Sequence, residues 1–244
     1  MPLNLGGNNL NSLGVKLFNN TNIPTASLSY YYDASLPDSY AGSGNTVYNF
    51  VGSVNGTLQN GASYSTNGGG SFVFDGSNDR MLLDNANYSI LLGNGNTNWT
   101  VHAWAKTTST IDGLSGNSVL SNTNGGPIYG SLDINGGRQT YWVYPSNVSG
   151  WRQFKGNIVV NNGAWRLLTW VNNSDYTMNF YVDGVYDTQV SPTNSGNNNP
   201  MDVIGGGLGA SFDGHIGLVA VYYTAHPLSQ VIQFFNGTRQ RFTI

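Results

Sequence analysis

Alternating apolar and polar residues, separated by glycine-rich turns, predict short β-strands along most of this chain. The clearest case is residues 71–83, where Phe72 and Phe74 alternate with smaller residues before an Asp-Gly pair turns the chain. A new apolar run then begins at residues 81–83. We interpret this segment as a hairpin, with two strands joined by a DG-type turn.

Further strands follow the same pattern. Residues 128–133 and 139–144 flank a Gly-Gly pair, while residues 165–171 and 176–182 flank a four-residue polar loop. Residues 215–223 form an apolar run that is long enough for a central strand. No repeat of about 20–50 residues is evident, which disfavours a propeller or a solenoid.

One helix is predicted near the C-terminus, at residues 227–236. Pro227 suits the first helical turn, and Gly237 suits the position that follows the last turn. The apolar residues with the i, i+3, i+4, i+7 spacing of one helical face are Leu228, Val231, Ile232 and Phe235.

Residues 1–28 follow neither a strand period nor a helix period. They are rich in Asn and Gly, and Lys16 is their only charged side chain. Two interpretations stay open: an extended arm that packs on a partner, or a first edge strand with a loose terminus. We therefore divide the chain into an arm or attachment segment at 1–28 and a sandwich domain at 29–244.

Composition narrows the classes of partner. Charged residues make up 9% of the chain, against roughly 25% in an ordinary soluble domain. Low charge combined with many strands favours association, so we expect a multicopy or homo-oligomeric protein. The net charge is −3 with no basic run, which argues against nucleic acid. We expect no membrane-spanning helix and no signal peptide, because no long apolar run and no basic leader occur.

Five segments, taken in order, resemble the laminin-G-like branch of the concanavalin A-like lectin/glucanase sandwiches. They lie at residues 31–50, 55–83, 98–106, 165–185 and 204–242. The resemblance covers residues 29–242. It implies an all-β, concanavalin A-like jelly-roll β-sandwich of two antiparallel sheets with one short C-terminal helix.

Single-domain chains of this pattern resemble structural proteins of tailed phages. The resemblance implies a non-enzymatic virion protein on the particle surface, either a capsid decoration or a component of a tail or appendage. Such a protein is made in the host cytoplasm and binds other virion proteins, which we expect to involve residues 1–28. The alternative is a lectin-like, carbohydrate-binding module for host-surface glycans.

The chain lacks several of the residue types that enzymes most often use for catalysis. The chain has no cysteine and no glutamate, and all twelve of its acidic residues are Asp. Glucanases of the superfamily use paired Glu residues, so a glycoside hydrolase is a remote alternative. His102 lies within a predicted strand, and His226 precedes the predicted helix in a capping or surface position; His215 lies apart from both. We therefore expect no enzyme and no required cofactor.

Two candidate sites remain. Aromatic faces with neighbouring amides suit sugars, and Asn147 and Gln153 lie near such a group. The candidate carbohydrate-binding residues are Tyr141, Trp142, Tyr144 and Trp151, with packing in the core or at a subunit interface as the alternative. The resemblance also implies one Ca²⁺ in a rim loop, for which Asp79 and Asp213 are the candidate ligands. The alternative is that both are turn residues.

Overall fold

The computed structural model is a sandwich of two eight-stranded antiparallel sheets, which confirms the predicted fold class. It describes residues 9–10, 16–17, 22–84, 90–91, 98–113, 116–122, 130–144, 150–192, 200–207 and 210–244. The strands, in chain order, are β1 (Asn9–Leu10), β2 (Lys16–Leu17), β3 (Leu28–Asp33), β4 (Thr46–Val47), β5 (Gly56–Gln59), β6 (Ser63–Ser65), β7 (Ser71–Asp75), β8 (Arg80–Leu83), β9 (Ile90–Leu91), β10 (Trp99–Lys106), β11 (Asn117–Ser121), β12 (Gly130–Asn135), β13 (Arg138–Val143), β14 (Arg152–Val159), β15 (Arg166–Asn172), β16 (Met178–Val182), β17 (Val185–Val190), β18 (Pro200–Met201), β19 (Val203–Ile204), β20 (Gly206–Gly207), β21 (Ala210–Ser211) and β22 (Asp213–Tyr222). The helices are α1 (Leu228–Thr238) and the 3₁₀ turns Asn67–Gly69 and Arg239–Phe242.

The first sheet is built around β22. Its strand order is β17-β16-β15-β10-β22-β7-β6, and β3 also pairs with β22. One side of β22 pairs with β10, while the other side pairs with β7 through its first half and with β3 through its second half. The central strand predicted at residues 215–223 is therefore confirmed.

The second sheet has the order β14-β13-β12-β11-β19-β8-β5-β4. Its β12–β13 pair is one of the predicted hairpins, and the turn between the strands uses Gly136 and Gly137 at φ 57° and 72°. Positive φ at both turn positions is the geometry that twists two strands correctly in a tight hairpin, and glycine adopts it without strain. The predicted hairpin of β15 and β16 is also confirmed.

The hairpin predicted at residues 71–83 is wrong. Both strands exist, but β7 pairs with β22 and β6 in the first sheet, whereas β8 pairs with β5 and β19 in the second. The connection is a corner between sheets, in which the Asp75 N–H donates to Oδ2 of Asp79 (3.1 Å). The Gly76 N–H donates to the carbonyl of Phe212 instead of to the opposite strand (2.8 Å).

The core lies between the two sheets, and hydrogen bonds made by Gln139 and Trp170 cross it. The side-chain amide of Gln139 on β13 donates to the carbonyl of Thr169 on β15 (2.7 Å). A second hydrogen bond runs in the opposite direction: Nε1 of Trp170 on β15 donates to the carbonyl of Thr140 on β13 (3.1 Å). Buried polar groups bonded in this way fix the alignment of the two sheets.

The edge strands β14 and β17 are joined by one carboxylate. Asp187 on β17 accepts hydrogen bonds from the backbone N–H groups of Asn157 (2.9 Å) and Ile158 (3.2 Å) on β14. This link satisfies edge donors that would otherwise face solvent, and it holds β14 in place beside β13.

A second apolar layer covers the outer face of the first sheet. Helix α1 buries Val231 and Phe234, and Trp104 of β10 donates from Nε1 to Oγ1 of Thr238 (2.8 Å). Leu228 and Ile232, predicted to face the core, are 47% and 41% exposed. The helix exists where it was predicted, but it is rotated so that Phe234 points inward.

Helix α1 also continues past its predicted end. Gly237 lies inside the helix, and a Cβ atom there would sit 2.9 Å from the carbonyl oxygen of Asn22 and 3.0 Å from Cγ2 of Ile23. The glycine therefore permits a close approach of residues 22–23 and does not end the helix. In the described part of the chain, no helix has the length and apolar character needed to cross a membrane.

The predicted arm at residues 1–28 is only partly described. Asn9–Leu10 and Lys16–Leu17 form a two-stranded antiparallel ladder. Residues 22–28 run along α1 and into β3, with Ile23 only 5% exposed. The rest of the segment lies outside the described residues, so the arm stays a prediction.

Candidate functional site

Side chains along β13 point alternately into the core and away from it, and this alternation determines which of the predicted site residues face outward. Tyr141 and Val143 belong to the core, so Trp142 between them points to the opposite face. Tyr141 is 5% exposed, which leaves its ring no free face for a ligand. The structure therefore separates Tyr141 from the other candidates, because neighbours on a strand point in opposite directions.

We call the outward side of β11–β14 the polar face. It is organised in two cross-strand rows, each of which passes through β12 and β13. The residues of the first row are Ser131, Trp142 and Gln153, and those of the second row are Ser118, Asp133, Thr140 and Lys155. Polar groups thus stand beside an aromatic ring on one sheet surface.

Three aromatic side chains form a cluster at the end of the first row. The Trp142 and Trp151 ring centroids are 6.5 Å apart at an interplanar angle of 81°. Tyr144 meets Trp151 at 5.7 Å and 86°. Such edge-to-face contacts are the favoured geometry for aromatic pairs. All three side chains are only half-buried, so the cluster retains exposed ring surface.

Asp133 occupies the floor of the polar face and is 1% exposed. Ser131 Oγ donates to its Oδ2 (2.9 Å), but Oδ1 has no hydrogen-bond partner among the described residues. Burial raises the pKa of Asp133 to about 6, and the hydroxyl groups of Ser118 and Ser131 moderate the rise. The carboxyl group is therefore poised to change charge near neutral pH.

Unpartnered buried atoms are concentrated on and beside this face. Within the described part of the chain they include Trp142 Nε1 and both amide atoms of Asn122, which follows β11. Ser118 and Gln153 interact with Asp133 and Asp112, whose pKa values their hydrogen bonds lower. Buried polar groups in native proteins nearly always find a partner. This many unpaired donors and acceptors in one place points to a site that binds something polar.

A charged pair flanks the second row. Lys155 Nζ lies 2.6 Å from Oδ1 of Asp112, with 28% and 57% of the two side chains exposed. The hydrogen bond from Lys155 lowers the pKa of Asp112. The lysine charge is therefore already neutralised by a neighbour and is not free for a ligand.

The two candidate calcium ligands, Asp79 and Asp213, lie on either side of Asp75. Asp213 faces Asp75 across the β7–β22 ladder, and Asp79 accepts the Asp75 N–H. Burial and the nearby charge of Asp75 raise the pKa of Asp79, whose Oδ1 has no hydrogen-bond partner among the described residues. Calcium needs roughly six to eight oxygen ligands. The described ranges contain no group of three or more acidic or histidine side chains that could hold a metal. The calcium site at Asp79 and Asp213 therefore stays a prediction.

The three histidines lie in two places: His102 contacts His226, and His215 Nδ1 lies 3.1 Å from Ser71 Oγ. His102 Nε2 lies 3.1 Å from His226 Nδ1, and His102 Nδ1 lies 2.8 Å from Thr169 Oγ1. His226, predicted at the surface, is 3% exposed because Phe234 and Tyr222 enclose the pair. This pair supports the packing of α1 and is remote from the polar face.

Sequence reasoning missed Asp133 and Ser118, but it included Gln153 as a hydrogen-bonding neighbour. The signal for Asp133 was available in β12, where Ser131, Asp133 and Asn135 share one parity opposite the apolar Leu132. Asn147, the other predicted neighbour, lies outside the described residues.

Residues 75–231 match the family described as the concanavalin A-like lectin/glucanases superfamily. The chain has no match among curated proteins.

Several solved structures share the fold. Domain 4 of AbnA, a GH43 extracellular arabinanase from Geobacillus stearothermophilus, in complex with arabinotriose, has a TM-score of 0.63 at 17% identity, covering 86% of this chain and 99% of that one. The botulinum neurotoxin serotype D binding domain has a TM-score of 0.63 at 13% identity, covering 86% of this chain and 52% of that one. A Trypanosoma rangeli sialidase has a TM-score of 0.60 at 15% identity, covering 91% of this chain and 35% of that one. This chain thus spans about half of the toxin domain, and these similarities concern the fold alone.

Proposed function

Because the chain belongs to the concanavalin A-like lectin/glucanases superfamily, we propose that it is a carbohydrate-binding protein that acts through its polar face. The observation that carries this proposal is the group of unpartnered buried polar atoms beside three aromatic rings.

The chemistry of a sugar matches this surface. A pyranose or furanose ring offers an apolar C–H face, which packs on exposed Trp and Tyr rings. Its hydroxyl groups both donate and accept, as the unpaired Trp142 Nε1 and the two amide atoms of Asn122 require. Hydrogen bonds from a ligand would remove the cost of leaving these buried groups unpaired.

The similarity to the arabinanase domain supports a concrete first probe. That domain is covered over 99% of its length and was solved with arabinotriose. We therefore choose arabinotriose to test the polar face, together with a broad glycan array.

We also propose that the protein is not an enzyme. Glycosidases place two carboxyl groups roughly 5–9.5 Å apart across the scissile bond. The chain has no glutamate, and the rows of the polar face contain one carboxyl group, that of Asp133. Asp112, beyond the second row, is bound to Lys155. This arrangement suits binding and lacks the second carboxylate that hydrolysis needs.

The test is a binding measurement on matched variants. Trp142→Ala and Trp151→Ala should each weaken sugar binding by about tenfold or more, since one stacked ring contributes roughly 0.5–1.5 kcal/mol beyond its buried area. Tyr48→Ala is the control, because Tyr48 is 50% exposed and lies beside β4, at the opposite edge of the same sheet. Binding that survives both Trp variants, or no glycan bound by the wild-type protein, would refute the proposal.

For its biological setting we propose the surface of a tailed-phage particle, as a capsid decoration or a tail component. The support is the ordered series of sequence segments within residues 29–242, together with low charge and many strands. Mass spectrometry of purified particles, with antibody labelling in electron micrographs, tests this setting independently of sugar binding. Absence of the protein from purified particles would exclude it.

A further inference from the structure

We propose that the protein forms a twofold dimer through an apolar patch on the outer side of its first sheet, where α1 lies beside β17. We call Tyr186, Leu228 and Ile232 the outer patch. Their side chains are 52%, 47% and 41% exposed, although all three are large and apolar. The partner of the outer patch is the same patch on a second copy of this chain.

Contacts beneath the outer patch show that α1 runs along β16 and β17. Val231 of α1 is buried in one cluster with Tyr181 of β16. A Cβ atom at Gly184, in the turn between β16 and β17, would lie 3.3 Å from the side chain of Phe235. The ring centroids of Tyr181 and Tyr186 are 5.7 Å apart, so Tyr186 stands beside the strip that the helix covers.

The helical period places the other two residues of the patch on the same side. Phe234 faces β10 and β22, near the middle of the first sheet. Val231 and Phe235 come next around the helix, toward β16 and its turn. Leu228 and Ile232 follow these two, because residues three and four apart are neighbours on a helix surface. Both therefore line the side of α1 that is nearer to β17.

Charge favours a second copy as the partner. Helix α1 contains no charged residue, and the charged groups around the patch are engaged elsewhere. Arg166 pairs with Asp183 (2.7 Å), Arg239 lies 5.5 Å from the centre of the Phe235 ring, and Asp187 is bonded to β14. A twofold axis brings residues near it against the same residues of the other copy, so a charge there would meet its own sign. The neutral outer patch meets this requirement of self-association.

The size of the outer patch suits the centre of a weak dimer interface. Its three side chains expose roughly 300 Å² of apolar surface, which reaches the size of the largest patches on ordinary monomers. Interfaces of about 800 Å² per partner surround such a centre with a polar rim. Gln189 and Asn179 supply polar groups beside the patch, since the Gln189 amide donates to Oδ1 of Asn179 (2.9 Å) on the same pair of strands.

Association through the outer patch leaves the other surfaces uncovered. Asn22, where the proposed arm joins the domain, contacts α1 at Gln233 and Gly237, on the opposite side of the helix from Leu228 and Ile232. The polar face lies on the outer side of the second sheet. A dimer of this kind therefore presents two polar faces.

The experiment measures the dimer dissociation constant of the full chain by sedimentation velocity at about 1–100 µM, the range of weak interfaces. Two pairs of matched variants are compared. Ile232→Glu is paired with Ile111→Glu, whose parent residues are 41% and 40% exposed, and Tyr186→Glu is paired with Tyr48→Glu, whose parent residues are 52% and 50% exposed. We expect Ile232→Glu and Tyr186→Glu each to weaken dimerisation by at least about tenfold, because each buries a charge at the centre of the interface. Ile111→Glu and Tyr48→Glu should dimerise like the wild type.

Each other outcome overturns the inference. A wild-type protein that stays monomeric at the highest concentration, or that forms oligomers larger than a dimer, refutes the twofold dimer. Equal weakening in all four variants shows that added charge matters and the patch does not. A monomeric wild type whose melting temperature falls in Ile232→Glu but not in Ile111→Glu shows that the chain covers the patch itself. Should Ile232→Glu misfold by circular dichroism, Ile232→Ser against Ile111→Ser decides: equal dimerisation of these two variants refutes the role of the patch.

Discussion

The carboxyl group of Asp133 costs the folded protein stability at neutral pH, because burial raises its pKa to about 6 from an ordinary value of 3.8. The neutral acid is the form that the fold prefers. The stability that this neutral acid contributes is fully present below the pKa of Asp133 in the unfolded chain, and it is lost as pH rises through about 6.

We therefore expect Asp133→Asn to stabilise the unliganded protein at pH 8 by up to about 3 kcal/mol, since each pKa unit corresponds to about 1.36 kcal/mol. The gain should disappear below about pH 4, where the wild-type carboxyl group is itself neutral. Urea unfolding at pH 8 and pH 4 measures the difference. A variant that is less stable than the wild type at pH 8 would contradict this interpretation.

Sequence reasoning reached part of this site because aromatic residues were dense in one segment. Trp142, Tyr144 and Trp151 do come together, since β13 and β14 are neighbours. Tyr141 was grouped with them because two adjacent aromatic residues do not reveal which one faces inward. Asp133 could not be found from its spacing, as its role depends on a hairpin partner and on burial.

At the scale of elements, the docking of α1 depends on a buried pair of histidines. His102 is fully buried on β10 and stacks on Phe234 of α1 with ring centroids 3.9 Å apart. Burial lowers the pKa of His226 to about 4 and holds the pKa of His102 well below its usual range, with His226 adding to the effect. Both histidines are thus neutral in the folded state.

We expect acid to weaken the docking of α1. A depressed pKa contributes stability that is present above the unfolded value of about 6.5 and is lost as pH falls through about 4. For His226 the loss amounts to at most about 3 kcal/mol. Asp133 titrates in the opposite sense over this range, so the wild type must be compared with His226→Gln at each pH. The stability difference between the two should shrink from pH 7 to pH 4 in urea titrations; a constant difference would contradict the prediction.

The strands and the helix were predictable because the spacing of apolar residues is a local property of the sequence. Which strand pairs with which, and which surface receives the helix, depends on residues far away in the sequence. Residues 71–75 and 80–83 were correctly predicted as strands, yet their assignment to one hairpin failed because four residues between them allow a crossing between sheets. The rotation of α1 likewise depends on the surface that receives it. Phe234 is fully buried against His102 and Tyr222, whereas Phe235 packs on Trp104 and is only partly buried.

The whole molecule presents two opposite faces. Helix α1 and residues 22–24 cover the outer side of the first sheet, where Tyr222 donates to the carbonyl of Pro24 (2.8 Å) and Gln233 donates to Asn22 (3.1 Å). The polar face lies on the outer side of the second sheet. Residue 22, where the proposed arm joins the domain, therefore lies on the side opposite the proposed sugar site.

This separation sharpens the prediction about the arm. Residues 22–28 pack against α1 and lead into β3, with Ile23 5% exposed, so deleting all of residues 1–28 would damage the domain. Deleting residues 1–21 should instead leave a folded protein with unchanged sugar affinity and a melting temperature near that of the full chain, but one that no longer joins particles. The expectation rests on the composition of the segment, which cannot bury enough apolar surface alone to offset roughly 1–2 kcal/mol of ordering entropy per residue. Ordered on a partner, its backbone groups could pair with a sheet edge.

The test measures particle occupancy. Full-length and truncated protein are each added to particles that lack the protein, and quantitative mass spectrometry then counts the bound copies. Normal occupancy of the truncated protein would refute the attachment role, and cooperative unfolding lost on truncation would instead make residues 1–21 part of the domain.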